Sequence, residues 1–458
     1  MNFLKVYPAK KLLGGIVVIP SSKPETQRAI LIGTFARGTS RVCNDLRCVE
    51  TTTMKNACRA IGSKITEQQN YLEVEGVANT SLLDGEMPIV DCLGSGLVAR
   101  TFLTISSILK FPVCVTGDEV LKNRVISPLI STLEGLGINF EYLGEKGKLP
   151  IVNRSTNFPG GLCVVPGNIS SQFITSLLLA APLADTPLEI QVDGEIYSKS
   201  YIRQTLAAME HAGVQVEHSE GLDFFKVKPS NYQAVNTHIF GDYTSASYLL
   251  AKAALFPGTM RLLNMSEHSL QGEKAIIDLL KALKLHIYFD ESKKELIVQN
   301  DLSYLEGDIE FDTTDCPNII PTLAVIGAFV RGKFRLTGGT VTNYHKCSRI
   351  EAMITELKKM GVNIEPIYKN GIYDGFEIQG KSEYRGGVKL SSWGDHRIFL
   401  SLFVASLKVI EPNFIDGFES VNCSFPGFLQ EFSKLGAEYE VIPGLNLPTE
   451  PAITLAEV

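Results

Sequence analysis

Apolar residues fall into two helical patterns along the chain, and the two alternate. In the first, hydrophobic positions lie three and four apart, then comes glycine or a substitute, then a short alternating or β-branched run. The copies are TMKNACRAIGSKI, LISTLEGLGINF, TLAAMEHAGVQVE, AIIDLLKALKLHIYF, AMITELKKMGVNIE and FLQEFSKLGAEYE. Their turn positions, Gly62, Gly137, Gly213, Lys284, Gly361 and Gly436, are 71 to 77 residues apart. Glycine there suits the left-handed residue that ends a helix, and the run after it suits a strand. The second pattern is nearly continuous hydrophobicity, as in QRAILIGTFARG, ARTFLTISSILK, SSQFITSLLLAAPLA, TSASYLLAKAAL, NIIPTLAVIGAFVRG and HRIFLSLFVASLK. Such helices should be buried all round. The pattern predicts six βαβαββ units, each with one buried and one half-exposed helix, grouped as two domains of three units with helices inside and sheets outside. A length of 458 residues agrees with two or three domains.

Composition removes several classes. Hydrophobic residues make up 45% and charged ones 20%, an ordinary globular balance. The longest apolar stretch, 174–184, is interrupted by Thr175, Ser176 and Pro182 and falls short of the ~20 residues of a membrane span. The first residues, MNFLKVYPAKKLLGG, lack the apolar core and cleavage site of a signal peptide, so a cytoplasmic protein without membrane contact is expected. Nine cysteines, odd in number and without a CxxC pair, point to neither a disulfide framework nor a metal site. A net charge of −7 argues against nucleic-acid binding but leaves room for a local basic cluster.

Such a cluster is visible at the starts of the buried segments: Lys23 and Arg28, Arg100, Ser170 to Gln172, Asp242, Asn318, and His396 with Arg397. Helix N-termini carry free N–H groups and partial positive charge, which suits phosphates and carboxylates. Serine and aspartate there are also ordinary caps, the simpler reading of Asp242 to Thr244. Capping does not explain the arginines. GSGLVAR is no dinucleotide fingerprint, because the GxGxxG spacing is incomplete and no ribose-binding acid is placed.

Eight segments, in order, carry a resemblance over essentially the whole chain: IPSSKPETQRAIL (19–31), GSGLVAR (94–100), LKNRVISPLI (121–130), GNISSQFITSLLLAAPLA (167–184), YSKSYI (197–202), GDYTSASYLLAKAA (241–254), WGDHRIFLSLFVA (393–405) and SFPGF (424–428). Together they resemble the 5-enolpyruvylshikimate-3-phosphate synthase family. The resemblance implies an inside-out α/β barrel of two domains, 1–21 with 241–458 and 22–240, each of three βαβαββ repeats and joined by two crossovers. It implies a transferase of the shikimate pathway, and hence of aromatic amino acid biosynthesis, that moves the enolpyruvyl group of phosphoenolpyruvate to a hydroxyl of shikimate 3-phosphate or a related acceptor, releasing phosphate. No metal or organic cofactor is implied, and a monomer is expected. By position, Lys23 matches the lysine bridging both substrates. Arg28, Ser170, Ser171, Gln172, Ser198 and Tyr201 match the acceptor side. Gly96, Arg124, Arg349, His396 and Arg397 match the phosphoenolpyruvate side, and Arg100 a structural arginine. Arginine can grip carboxylate or phosphate bidentately, which accounts for its frequency.

The departures fall on the reactive groups. The family's candidate general base, an aspartate, is Asn318 here in DTTDCPNII, and an amide cannot take a proton near neutral pH. The family's lysine and glutamate, which help protonate the enol carbon, are replaced in HKCSR (345–349) by His345 and Lys346, or by Lys346 with the acid deleted. The lysine before the Phe/Tyr-Pro motif is Cys423, and the serine after Lys23 is Pro24. Losing groups worth about 10²–10⁴-fold each would cripple the usual reaction. Three expectations stay open. One is a variant transferase using His345, Asp315 or Lys346. The others are a lyase or dehydratase acting on a phosphoshikimate-like ligand, and a non-catalytic ligand-binding homologue.

Overall fold

A computed structural model describes residues 2–9, 14–77 and 87–444. The expected domain bounds also take in residues 1, 10–13, 78–86 and 445–458, which lie outside the described residues, as does part of the N-terminal stretch. Apart from the one-turn helix Glu119–Lys122, twelve α-helices among the described residues organise the chain in alternating pairs: α1 (Lys23–Phe35), α2 (Val49–Ala60), α3 (Gly96–Ile105), α4 (Ser127–Gly135), α5 (Ser171–Ala180), α6 (Lys199–His211), α7 (Tyr243–Leu255), α8 (Ile276–Ala282), α9 (Ile320–Phe329), α10 (Arg349–Lys359), α11 (His396–Ser406) and α12 (Phe428–Lys434). The odd-numbered helices are the nearly all-apolar segments. Every residue of α3, α7, α9 and α11 is buried. The even-numbered helices keep a polar face, as their three- and four-residue spacing requires.

The turn after each even-numbered helix is left-handed. Gly62, Gly137, Gly213, Gly361 and Gly436 have φ between 82° and 101°, and Lys284 adopts φ 67° without a glycine's freedom. A hairpin follows each of the first five turns and a single strand, Tyr439–Ile442, follows the sixth; the described strands form six separate sheets, five of four strands and one of five. The pairing repeats: strands flanking α3, α5, α9 and α11 pair in parallel, as in Ile89–Asp91 with Val113–Thr116, and the hairpin adds antiparallel strands. Alternation such as eBeB along Thr39–Cys43 leaves one sheet face toward solvent. The class is mixed α/β, and among the described residues no sheet closes on itself.

Three pairings are long-range. Gly15–Val18 lies parallel to Gly258–Leu263, and Asn236–His238 lies parallel to Thr39–Cys43. Phe3–Val6 sits antiparallel between Asn413–Asp416 and Tyr439–Ile442. The buried apolar residues accordingly form two clusters, one from 4–19 and 243–437, the other from 30–239. The chain passes twice between them, and the two passages bond to each other: Ser22 N donates to Phe240 O (2.7 Å) and Asp242 N to Pro20 O (2.9 Å). Each passage delivers the chain directly into a buried helix, α1 or α7. Among the described residues no helix is long and apolar enough to cross a membrane.

Candidate active site

Between the two cores lies a cavity of about 160 Å³. Its wall is built from helix starts: Lys23 on α1, Gly96 on α3, Ser171 on α5, Asn318 in the turn ahead of α9, and His396 on α11. The sixth odd-numbered helix stands behind this wall. Its cap Asp242 accepts from Ser245 N through Oδ1 (2.9 Å) and from Lys23 N through Oδ2 (3.4 Å), so the capping reading holds there. Ser170 and Asp395 cap α5 and α11 in the same way, accepting from Gln172 N (3.3 Å) and Arg397 N (2.8 Å). Ser198, ahead of α6, holds a left-handed φ of 58°, a strained conformation of the kind found at ligand sites.

All fifteen sequence-selected residues line this one cavity: Lys23, Arg28, Gly96, Arg124, Ser170, Ser171, Gln172, Ser198, Tyr201, Asn318, His345, Lys346, Arg349, His396 and Arg397. Arg100 lines it too, giving seven lysines and arginines against one carboxylate, Glu50. Arg100 acts as a support, since its Nη1 donates to Gln172 Oε1 (2.7 Å) and its Nη2 to Val125 O (3.2 Å). Arg28 is also anchored, from Nε to Thr205 Oγ1 (2.9 Å) and from Nη2 to Tyr201 O (3.0 Å). A side chain on Gly96 would start 2.5 Å from Arg100 Nη1 and 2.7 Å from Arg124 Nη1, so glycine keeps the guanidinium groups close to the helix start.

One corner is a closed network. Asn318 Nδ2 donates to Tyr201 Oη (2.6 Å) and Glu273 Oε1 (3.2 Å), while its Oδ1 accepts from Arg349 Nη1 (2.9 Å). Tyr201 Oη donates to Glu273 Oε1 (2.6 Å), and Arg349 Nε donates to Asp395 Oδ2 (2.8 Å). Burial raises the Glu273 carboxyl above its ordinary range, against the hydrogen bond from Tyr201. Burial also opposes the charge on Asp395, but Arg349 and the backbone N–H of Arg397 outweigh it and hold that carboxyl far below the usual range.

The rest of the wall is electropositive. Lys23 Nζ pairs with Glu50 Oε2 at 3.0 Å. Burial disfavours the Glu50 charge, yet Lys23 and Lys346 outweigh that and lower its pKa. Burial, then Arg349 and Arg124, push His345 well below 6.5; burial and the cations Arg397, Lys23 and Lys346 do the same to His396 despite Asp395. Both imidazoles are therefore neutral. Neither His396 nitrogen, nor His345 Nδ1, nor Arg124 Nε has a hydrogen-bond partner.

Asp315, a possible substitute base by sequence, turns away. It accepts from Ser200 N (2.5 Å), pairs with Arg203 (3.4 Å) and does not line the cavity. Cys423 is likewise not a lining residue. Sequence reasoning missed Glu50 and Glu273, so the loss of carboxylates is less complete than the motifs imply. Both lie in the first turn of a helix, where an acidic residue is what the dipole favours, so neither carries a distinct signal. Among the described residues no cluster of three or more His, Cys, Asp or Glu could hold a metal ion.

The family model described as EPSP synthase (3-phosphoshikimate 1-carboxyvinyltransferase) matches residues 7–432. The chain is 32% identical over 440 residues to the 3-phosphoshikimate 1-carboxyvinyltransferase of Methanocaldococcus jannaschii, covering 96% of this chain and 100% of that one. It is 32% identical over 445 residues to the protein of that name from Methanobrevibacter smithii, covering 94% and 98%. A solved EPSP synthase from Acinetobacter baumannii superposes with a TM-score of 0.79 at 22% identity, over 96% of this chain and 100% of that one, a likeness of fold. With a family match spanning nearly the whole chain and relatives at this identity over their full length, the protein belongs to the EPSP synthase (3-phosphoshikimate 1-carboxyvinyltransferase) family.

Proposed function

We propose that the protein transfers the enolpyruvyl group of phosphoenolpyruvate to a hydroxyl of shikimate 3-phosphate, or a related phosphorylated cyclic acceptor, with a rearranged set of proton-transfer groups. One observation carries this reading: the fifteen selected residues, spread from Lys23 to Arg397, converge on a single cavity with seven cationic side chains and one carboxylate. Such a field suits two polyanions held side by side. Lys23, Arg124, Arg349 and Arg397 are the groups for the phosphate and carboxylate of phosphoenolpyruvate. Ser170, Ser171 and Ser198 are those for the acceptor phosphate, with Arg28, Gln172 and Tyr201 on its ring side.

We read the two cores as two domains, 1–21 with 241–458 and 22–240, in the family's inside-out arrangement of six repeats. Bonds such as Gln271 Nε2 to Glu25 Oε1 (2.9 Å) bridge them and would break if the two parted. In the reaction the acceptor hydroxyl loses a proton as its oxygen attacks, the enol carbon gains one, and phosphate later departs as that carbon loses a proton again. Lys346, a lining cation, supplies the proton to carbon better than His345, which is neutral in the free site.

The test is incubation with shikimate 3-phosphate, with and without phosphoenolpyruvate, following phosphate release and product mass. An enolpyruvyl adduct with phosphate release dependent on phosphoenolpyruvate is expected. Phosphate release without phosphoenolpyruvate would sink transfer and favour elimination; no release in either arm would favour a binding role or another acceptor.

A further inference from the structure

The acceptor hydroxyl must give up a proton, and the residue positioned for it, Asn318, has no basic site. Its amide is instead committed as a donor to Tyr201 Oη at 2.6 Å and Glu273 Oε1 at 3.2 Å, and its carbonyl to Arg349 at 2.9 Å. Two carboxylates stand near. Glu50 lines the cavity but is held by Lys23 at 3.0 Å. Glu273 is 1% exposed and does not line the cavity, so it cannot touch a ligand directly. Tyr201 lies between Glu273 and the cavity: it lines the wall, and its hydroxyl donates to Glu273 Oε1 at 2.6 Å. With Asn318 filling one lone pair of the phenol and Glu273 taking its proton, the oxygen keeps acceptor capacity for a ligand hydroxyl.

We infer that Glu273, reached through Tyr201, is the terminal acceptor of the acceptor-hydroxyl proton, in place of the carboxylate that Asn318 lacks. The inference rests on the transferase reading. As the acceptor oxygen bonds to the enolpyruvyl carbon, its O–H bond breaks and the proton passes to Tyr201 Oη. The phenol's own proton moves to Glu273 Oε1 in the same motion. Tyr201 ends neutral and unchanged, Glu273 ends protonated, and no further reactant is needed. Asn318 fixes the direction of the relay, because its N–H groups leave Tyr201 only Glu273 as a proton sink.

The groups facing Glu273 favour proton uptake. Tyr201 comes from α6, Asp242 from the start of α7, Cys316 from the turn ahead of α9, and Arg397 from α11. Burial and Asp242 raise its proton affinity, while Tyr201 and Arg397 limit the rise, leaving a stronger base than an exposed glutamate.

The experiment measures kcat/KM for enolpyruvyl product against pH, with phosphoenolpyruvate affinity and melting temperature determined for each variant. The full-length protein should show an acid limb, with activity rising with pH as Glu273 deprotonates. Glu273→Gln should lower kcat/KM by about 10²–10⁴-fold and abolish the limb, while Glu273→Asp should retain it. Tyr201→Phe, which removes one hydroxyl, should lose a similar factor, and the double variant should lose little more than either single one. A Glu273→Gln protein that keeps its rate and its limb, or an active Tyr201→Phe protein, overturns the relay alone. A loss matched by equal loss of phosphoenolpyruvate affinity marks a structural role and also overturns it. A parent protein that makes no enolpyruvyl product overturns relay and transferase reading together.

Discussion

In one corner of the site Asn318, Tyr201, Glu273, Arg349 and Asp395 satisfy one another in a chain of hydrogen bonds between 2.6 and 3.2 Å. Beside this chain, with His396 Nδ1 3.8 Å from Asp395 Oδ1, Arg124, His345 and His396 keep buried nitrogens without hydrogen-bond partners. A buried polar group left unpaired costs about 1–3 kcal/mol, so the second arrangement is tolerable when a ligand supplies the missing partners. The first needs no ligand to be stable. The difference assigns the two groups different work. The satisfied group fixes geometry and can pass a proton; the unsatisfied group is an electrostatic socket for an anion.

Removing one arginine from each group gives the sharpest contrast. Arg349→Ala strips the buried Asp395 of its partner and should destabilise the fold by about 3–5 kcal/mol, seen as a lower urea midpoint. Arg124→Ala removes a poorly satisfied buried cation, so the midpoint should hold or rise. Phosphoenolpyruvate affinity should fall by at least about tenfold in calorimetry, as expected for a charged hydrogen bond of about 1.5–3 kcal/mol. Equal stability losses in the two variants would erase the contrast.

The histidines test the socket through pH. Their pKa values are lowered on folding, so between the unfolded value near 6.5 and the lower folded values the unfolded chain binds more protons. Stability should therefore fall as pH drops below about 6.5, by up to about 1.4 kcal/mol per pH unit per histidine. Glu25 and Glu273, whose carboxyls are raised, lean the other way, so the informative measurement is the flatter slope of His345→Gln/His396→Gln against the parent. An unchanged slope would mean the imidazoles are not held neutral.

Gly96→Ala should push the Arg100 and Arg124 guanidinium groups aside and raise the KM for phosphoenolpyruvate several-fold, an effect of about 1 kcal/mol, with little change in melting. The smallest effect belongs to a control outside both groups. Lys284→Gly relieves a left-handed residue and should raise the urea midpoint by the equivalent of about 1 kcal/mol without touching kinetics.

Lys284 also marks how far local pattern reaches. Its place in the repeat predicts a left-handed turn where the residue type argues against one, and the turn is there. Buried and half-exposed helices were legible for the same reason, since hydrophobic period is a property of neighbours along the chain. The cationic residues were legible because arginine at the start of an apolar helix has no structural explanation of its own. Glu50 and Glu273 were not, since first-turn acids are ordinary.

The sequence by itself therefore determined the order and kind of elements, the family, and which side chains gather where helices begin. Only the tertiary structure decided what those side chains meet. Glu273 lies 45 residues from Asn318 and 72 from Tyr201, yet the three oxygen- and nitrogen-bearing tips share one corner. The neutral state of His345 and His396 likewise depends on burial and on arginines contributed by distant segments. Helical period and turn chemistry act between chain neighbours, whereas hydrogen-bond partnership and desolvation act through space, and space is assigned only when the two cores close on each other.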